Sequence, residues 1–150
     1  MKLVCTKNEL LKGIGIVSGA VSQKSTLPLL SNLLLDATGE SLTLSATDLE
    51  IAVRTTIKAQ ILDPGGITLP AKMLTDIVRK TAQDEIEITS NENNGVVIKS
   101  GKAKYSLVGI SKEEFPEHVN FDESKLFELQ TEILKEMIVK TKFAVSTPWE

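Results

Sequence analysis

What most constrains this chain is that it runs through one order of elements twice. Residues 2–6 (KLVCT) predict a short strand, and 7–21 (KNELLKGIGIVSGAV) an amphipathic helix with Leu10, Ile14, Val17 and Val21 on one face. Three strand-like runs follow, TLPLLSNLLLDA (26–37), SLTLSATD (41–48) and IAVRTTIKA (51–59), with turn residues such as Thr38-Gly39 between them. The chain breaks at Asp63-Pro64-Gly65-Gly66, and the order then returns. ITLP (67–70) leads into a helix over 71–81 with Pro70 at its start, and EIEITS (85–90), VVIKS (96–100) and AKYSLVGI (103–110) supply three more strands. Residues 2–59 and 67–110 thus read as two β-α-β-β-β halves of one α+β domain.

A second repeat is visible in the residues themselves. Shifted by 123 positions, KLVCTKNELLK (2–12) lies over KLFELQTEILK (125–135), matching Lys2 to Lys125, Leu3 to Leu126, Glu9 to Glu132, Leu11 to Leu134 and Lys12 to Lys135. A one-residue slip then lays Ala20-Val21-Ser22 over Ala144-Val145-Ser146. The expectation is a first domain over 1–121 and the opening strand and helix of a second copy over 122–150. A lone β-α pair cannot cover its own apolar face, so the tail reads as the beginning of a longer repeat. The 150 residues have room for about one ordinary domain of 100–150 residues, which agrees.

Charge looks at first like an argument against nucleic acid, since the chain carries a net −3. Divided by element, the sign separates. The predicted helices 7–21, 71–81 and 131–142 hold 8 basic and 4 acidic residues, whereas the remainder holds 9 basic and 16 acidic. A basic helical layer and acidic strands suit a protein whose helices face a polyanion and whose sheets face outward. On the first helix Lys12 falls opposite Ile14 and Val17, beside Gly15 and Gly19, a face that lets a phosphate backbone come close. No Arg/Asn/Gln cluster lies on a helix, and aromatics make up only 4% of the chain, so base readout and base stacking are not provided for.

Candidate chemistry is sparse. Asp48 and Glu50 sit at one turn without a nearby histidine, which fits capping better than metal binding. Asp84, Glu85 and Glu87 read as a solvated strand edge, and His118, the one histidine, as linker surface. Cys5, the one cysteine, lies in an apolar strand without a base, and it cannot form an intrachain disulfide, which is consistent with a cytosolic setting. The N-terminus lacks the apolar core of a signal peptide, and no run approaches the length of a membrane span. With no Gly-rich phosphate loop, nucleophile elbow or metal-spaced Cys/His set, the reading is a protein with no cofactor, no metal and no catalysis of its own. Two alternatives stay open on these residues: a small metal- or thiol-dependent enzyme using Asp48 and Glu50 or Cys5, and a monomeric interaction module.

The runs STLPLLSNLLLDA (25–37), LTLSATDLEIAV (42–53), ITLPAKMLTDIVR (67–79) and SGKAKYSLVGISKEEFP (100–116) together resemble the bacterial DNA polymerase III β sliding clamps, over the first domain and the start of the second. The resemblance implies the DNA clamp (processivity) fold, with helices on one face and antiparallel sheets outside. It implies two head-to-tail chains closing a ring on double-stranded DNA, and docking of the polymerase III alpha subunit and the clamp loader through later domains. The family's DNA-contacting basic positions fall on Lys24 and Lys72, where arginine is frequent in the family, and lysine keeps the charge without bidentate phosphate geometry. With Lys12 and Lys7 they form the expected DNA-facing set. The family's ring contact falls on Met73, Ile77, Lys102, Lys104 and Ser106.

Overall fold

A computed structural model describes residues 1–22, 27–116 and 128–145. It divides into two units, 1–118 and 119–150. Among the described residues the first contains ten strands and two α-helices: β1 (Lys2–Thr6), α1 (Lys7–Val17), β2 (Asn32–Ala37), β3 (Ser41–Thr47), β4 (Ala52–Lys58), β5 (Gln60–Asp63), β6 (Gly65–Pro70), α2 (Ala71–Lys80), β7 (Glu85–Ser90), β8 (Gly95–Ser100), β9 (Ala103–Val108) and β10 (Ile110–Ser111). Among the described residues no helix is long and apolar enough to cross a membrane.

The two halves do not each close their own sheet. One antiparallel sheet runs β5-β1-β7-β8-β9 and the other β10-β6-β2-β3-β4. Each half therefore keeps its three middle strands and lends its first and last strands to the other. The register explains why the exchange is stable. In the first sheet Leu3 stands opposite Ile61 and Ile88, Ile88 opposite Ile98, and Ile98 opposite Tyr105, one continuous apolar row. In the second, Ile67 faces Leu35 and Leu35 faces Leu44. A slip of one residue would turn either row outward, so burial of these rows holds the borrowed strands in place.

The helices fill the space inside both sheets. Thr6 caps α1 by accepting a hydrogen bond from the Glu9 amide (3.2 Å), and Leu10, Gly13, Ile14 and Val17 form its buried stripe. Ala71, Leu74 and Val78 do the same for α2. All but Gly13 join one hydrophobic core with residues of both sheets. Gly13 is there because the helix lies close on the sheet. A Cβ at this position would sit 2.3 Å from Leu44 Cδ1 and 2.9 Å from Ile57 Cγ2, whereas Gly15 has nothing within 4 Å.

Several elements differ from the sequence-based expectation. The helix over 7–21 ends at Val17 and tightens into a 3₁₀ turn, Ser18–Ala20, where the Ser18 hydroxyl bonds the Ile14 carbonyl. The strand expected from residue 26 starts only at Asn32, because Pro28 opens a 3₁₀ turn over Pro28–Ser31. The run IAVRTTIKAQILD is two strands, β4 and β5, which leave Ala59 in opposite sheets. β7 is the middle strand of its sheet, so Glu87 does not lie on a solvated edge. It sits between Lys2 (3.4 Å) and Lys99 (3.1 Å), and the Lys99 hydrogen bond, helped by Lys2, holds its carboxyl below the usual range.

In the second unit, α3 (Thr131–Thr141) is 11 residues long and continues into a 3₁₀ turn, Lys142–Ala144, just as the 11 residues of α1 continue into Ser18–Ala20. The strand expected ahead of it, from Lys125, lies largely outside the described residues.

Gly13→Ala should destabilise the fold, because pushing Leu44 and Ile57 aside costs about 1–3 kcal/mol and outweighs a helix-propensity gain of about 1 kcal/mol. Gly15→Ala should instead stabilise it by roughly 0.5–1 kcal/mol. Urea unfolding of the two variants against the parent, with opposite shifts of midpoint, checks the helix placement.

Candidate nucleic-acid interface

α1 and α2 lie side by side and antiparallel. At one end the first residue of α1, Lys7, reaches the last turn of α2, its ammonium donating to the carbonyls of Arg79 (3.0 Å) and Thr81 (2.6 Å). From the other end, where the chain leaving α1 passes the start of α2, an open groove of about 600 Å³ follows α2 as far as Arg79. Ser18, Ser22, Ser31, Lys72, Thr75, Asp76 and Arg79 line it.

The groove's chemistry follows from where its protons are already committed. Ser18 donates to the Ile14 carbonyl, Ser31 to that of Pro28 (2.7 Å) and Thr75 to that of Ala71 (2.6 Å). These hydroxyls offer lone pairs to a ligand, and its cationic donors are Lys72 and Arg79. The two lie seven residues apart on α2, hence on one stripe, and both are exposed. α1 exposes Lys12 and Gly15, and the turn after it exposes Gly19; at either glycine even an added Cβ would meet nothing within 4 Å. The surface is thus a pair of helices with free cations and little steric cover, suited to phosphates and not to base edges.

The expected site residues are distributed as follows. Lys12 and Lys72 are exposed on this helical face. Lys24 lies outside the described residues, as does His118. Lys7 differs from the DNA-facing role expected of it: it is half-buried and its ammonium caps α2, because the two helices meet at that end. Arg79 is absent from the set expected from sequence, although its spacing of seven from Lys72 on a helix is a signal that points to it. Met73 is 51% exposed and Ile77 half-buried on the neighbouring stripe of α2. Lys104 and Ser106 are exposed on β9, which forms an outer edge of its sheet, and Lys102 is exposed in the turn before it. Ile77 on that stripe, and Tyr105 and Leu107 on β9, are partly buried against the core.

The residues that could have carried catalysis are otherwise engaged. Asp48 Oδ1 accepts from the amides of Ile51 (2.7 Å) and Glu50 (3.0 Å), and these bonds, Ile51 first, hold its carboxyl below the usual range. It closes the β3–β4 turn, in which Leu49 takes a left-handed φ of 78°. Glu50 stays exposed without joining it in a metal-binding group of three or more His, Cys, Asp or Glu among the described residues. Cys5 is 5% exposed, paired in register with Ile86, and burial, assisted by the Asp84 carboxylate, pushes its thiol up to about 12.

The family model described as DNA polymerase III beta subunit, N-terminal domain, matches residues 1–120. The chain belongs to this family. Among proteins named beta sliding clamp, it is 39% identical over 149 residues to that of Synechococcus elongatus, covering 97% of this chain and 40% of the relative. The protein of that name from Caulobacter vibrioides is 37% identical over 149 residues, covering 98% of this chain and 40% of its own length. Among solved structures, the DNA polymerase sliding clamp from Bacillus subtilis superposes with a TM-score of 0.93 at 29% identity, over 98% of this chain and 41% of that one. Caulobacter crescentus pol III beta gives 0.90 at 36% identity, over 100% and 40%. The chain thus spans about 40% of the length of its clamp relatives. Its two sheets and helices are those of the clamp fold.

The state of Cys5 has a measurable consequence. In the folded chain the thiol stays protonated up to about 12, whereas an unfolded cysteine ionises near pH 8.5. Unfolding therefore releases a proton between those values, and stability falls as pH rises through this window. Alkylation of the native chain at pH 8 should be slow and become fast in denaturant, and Cys5→Ala should flatten the alkaline decline of the urea midpoint.

Proposed function

We propose that this chain is the first domain of a ring-shaped sliding clamp that encircles duplex DNA without reading its sequence and confers processivity on a replicative DNA polymerase, without catalysis of its own. The observation that carries the proposal is the helical face itself: Lys72 and Arg79 on one stripe of α2, with Lys12 exposed on α1 and the uncovered Gly15 and Gly19 on α1 and the turn after it. Backbone contacts of this kind are weak, salt-sensitive and indifferent to sequence, which a closed ring needs in order to slide. Holding the polymerase on the same ring raises its effective concentration at the template. Lys24 belongs to the proposed DNA-contacting set with Lys12 and Lys72. Lys7 is left out of it, since its ammonium is held by the end of α2.

In this reading a second clamp subunit meets the domain head to tail along the β9 edge and the α2 stripe, through Met73, Ile77, Lys102, Lys104 and Ser106. An open antiparallel edge, with an apolar stripe and lysines to offer, supports such a heterologous contact, the type that closes rings. The polymerase III alpha subunit and the clamp loader would dock on the domains that follow. The enzyme alternative has lost its residues, since Asp48 is engaged by its own turn and Cys5 is buried and protonated.

Lys12→Ala and Lys72→Ala, introduced into the complete clamp, should each weaken DNA retention equally on unrelated duplexes. Each should also lower the slope of log K against log salt by about 1, the loss of roughly one phosphate contact. Retention measured across a salt series on several sequences checks this, and a loss confined to one sequence would overturn the backbone-contact role.

A further inference from the structure

We propose that Lys7 is a positioning residue for DNA contact, tying the end of α2 to the start of α1 and so fixing where Arg79 faces the duplex. The inference rests on the DNA-encircling reading above and goes beyond it by assigning the geometry of the helix pair to one ammonium group.

The last turn of an α-helix leaves its carbonyls without intrahelical partners. In α2 the Ile77 carbonyl accepts from the Thr81 amide (3.1 Å) and the Val78 carbonyl from the Thr81 hydroxyl (2.8 Å). The Arg79 carbonyl, together with that of Thr81, is taken by Lys7 from the other half of the domain. The backbone adds to the tie, as the Lys7 amide donates to the Asp84 carbonyl (2.6 Å). Lys7 is thus joined to the segment 79–84 at three points. A cation on the negative end of a helix dipole strengthens each of its hydrogen bonds.

The fold's duplication shows how particular this tie is. The position equivalent to Lys7 at the start of α2 is Ala71, which cannot reach across, and the groove that begins there follows α2 as far as Arg79. Among the described residues, this side-chain tie is made at one end of the pair only. The stripe from Lys72 to Arg79 runs toward that end, so its direction against α1 is set by the tie. Two of the three ammonium protons of Lys7 are committed there, and the side chain is half-buried, which is why it acts through Arg79.

The test is a double-mutant comparison in the complete clamp, reading the salt dependence of its retention on duplex DNA. Lys7→Met keeps the stem and removes the donors. It should lower the slope by about 1, as Arg79→Ala does, and add nothing in an Arg79→Ala background. Lys7→Arg, which still donates to two carbonyls, should keep the parent slope. If Lys7→Met melts below the assay temperature, Lys7→Gln, with one donor group left, carries the same comparison. An equal drop in both backgrounds would make Lys7 a direct phosphate contact, and no drop in the parent would make it only a stabilising tie; either result overturns the proposal. If Lys72→Ala and Arg79→Ala themselves leave the slope unchanged, the DNA reading fails and the proposal fails with it.

Discussion

Backbone hydrogen bonding between the halves is what the rest of this domain depends on. β1 finds its partners in β5 and β7, and β6 finds its partners in β2 and β10, so each sheet is assembled from both copies of the repeat. The apolar rows through Leu3, Ile88 and Ile98 and through Ile67, Leu35 and Leu44 exist only once the strands are exchanged. The two helices then have one enclosed space to fill, and their stripes meet in a single core. Their polar sides are consequently turned the same way. The helical face is therefore a product of strand exchange.

The electrostatics build on that geometry. A chain of net charge −3 is a poor prospect for nucleic acid if its charges are treated as one sum. The fold separates them: Glu87 is neutralised between Lys2 and Lys99 on the first sheet, while Lys12, Lys72 and Arg79 remain free on the helices. At a Debye length of about 8–10 Å, a phosphate near α2 responds to the helix cations and little to carboxylates on the far side of a sheet. Local sign, and not net charge, governs such contacts.

Much of this is legible in the sequence because duplication and hydrophobic period are local properties. β1 and α2 appear almost where the pattern places them, and the tail's helix follows the shifted repeat. Strand partners are not legible. An alternating run such as IAVRTTIKAQILD states which residues turn inward, but not that Val53 and Ile61 belong to different sheets. The same limit applies to the site. Spacing places Lys72 and Lys12 on helical faces, whereas the capping duty of Lys7 depends on carbonyls 72 and 74 residues away. The need for glycine at position 13 is hidden for the same reason, since Leu44 and Ile57 approach it only in the folded chain.

The exchange of strands also orders events during synthesis. The second sheet has β2, β3, β4 and β6 once Pro70 has been made, and hairpin contacts bring most of it together. β1 precedes the domain's other strands, yet of its two partners β7 is not complete until Ser90. Pairings of such long sequence separation close slowly, because the chain entropy is lost before the contacts form. The first strand of the domain is thus among the last to be sealed, and for that interval Cys5, inert in the finished domain, is an ordinary reactive thiol on a nascent chain.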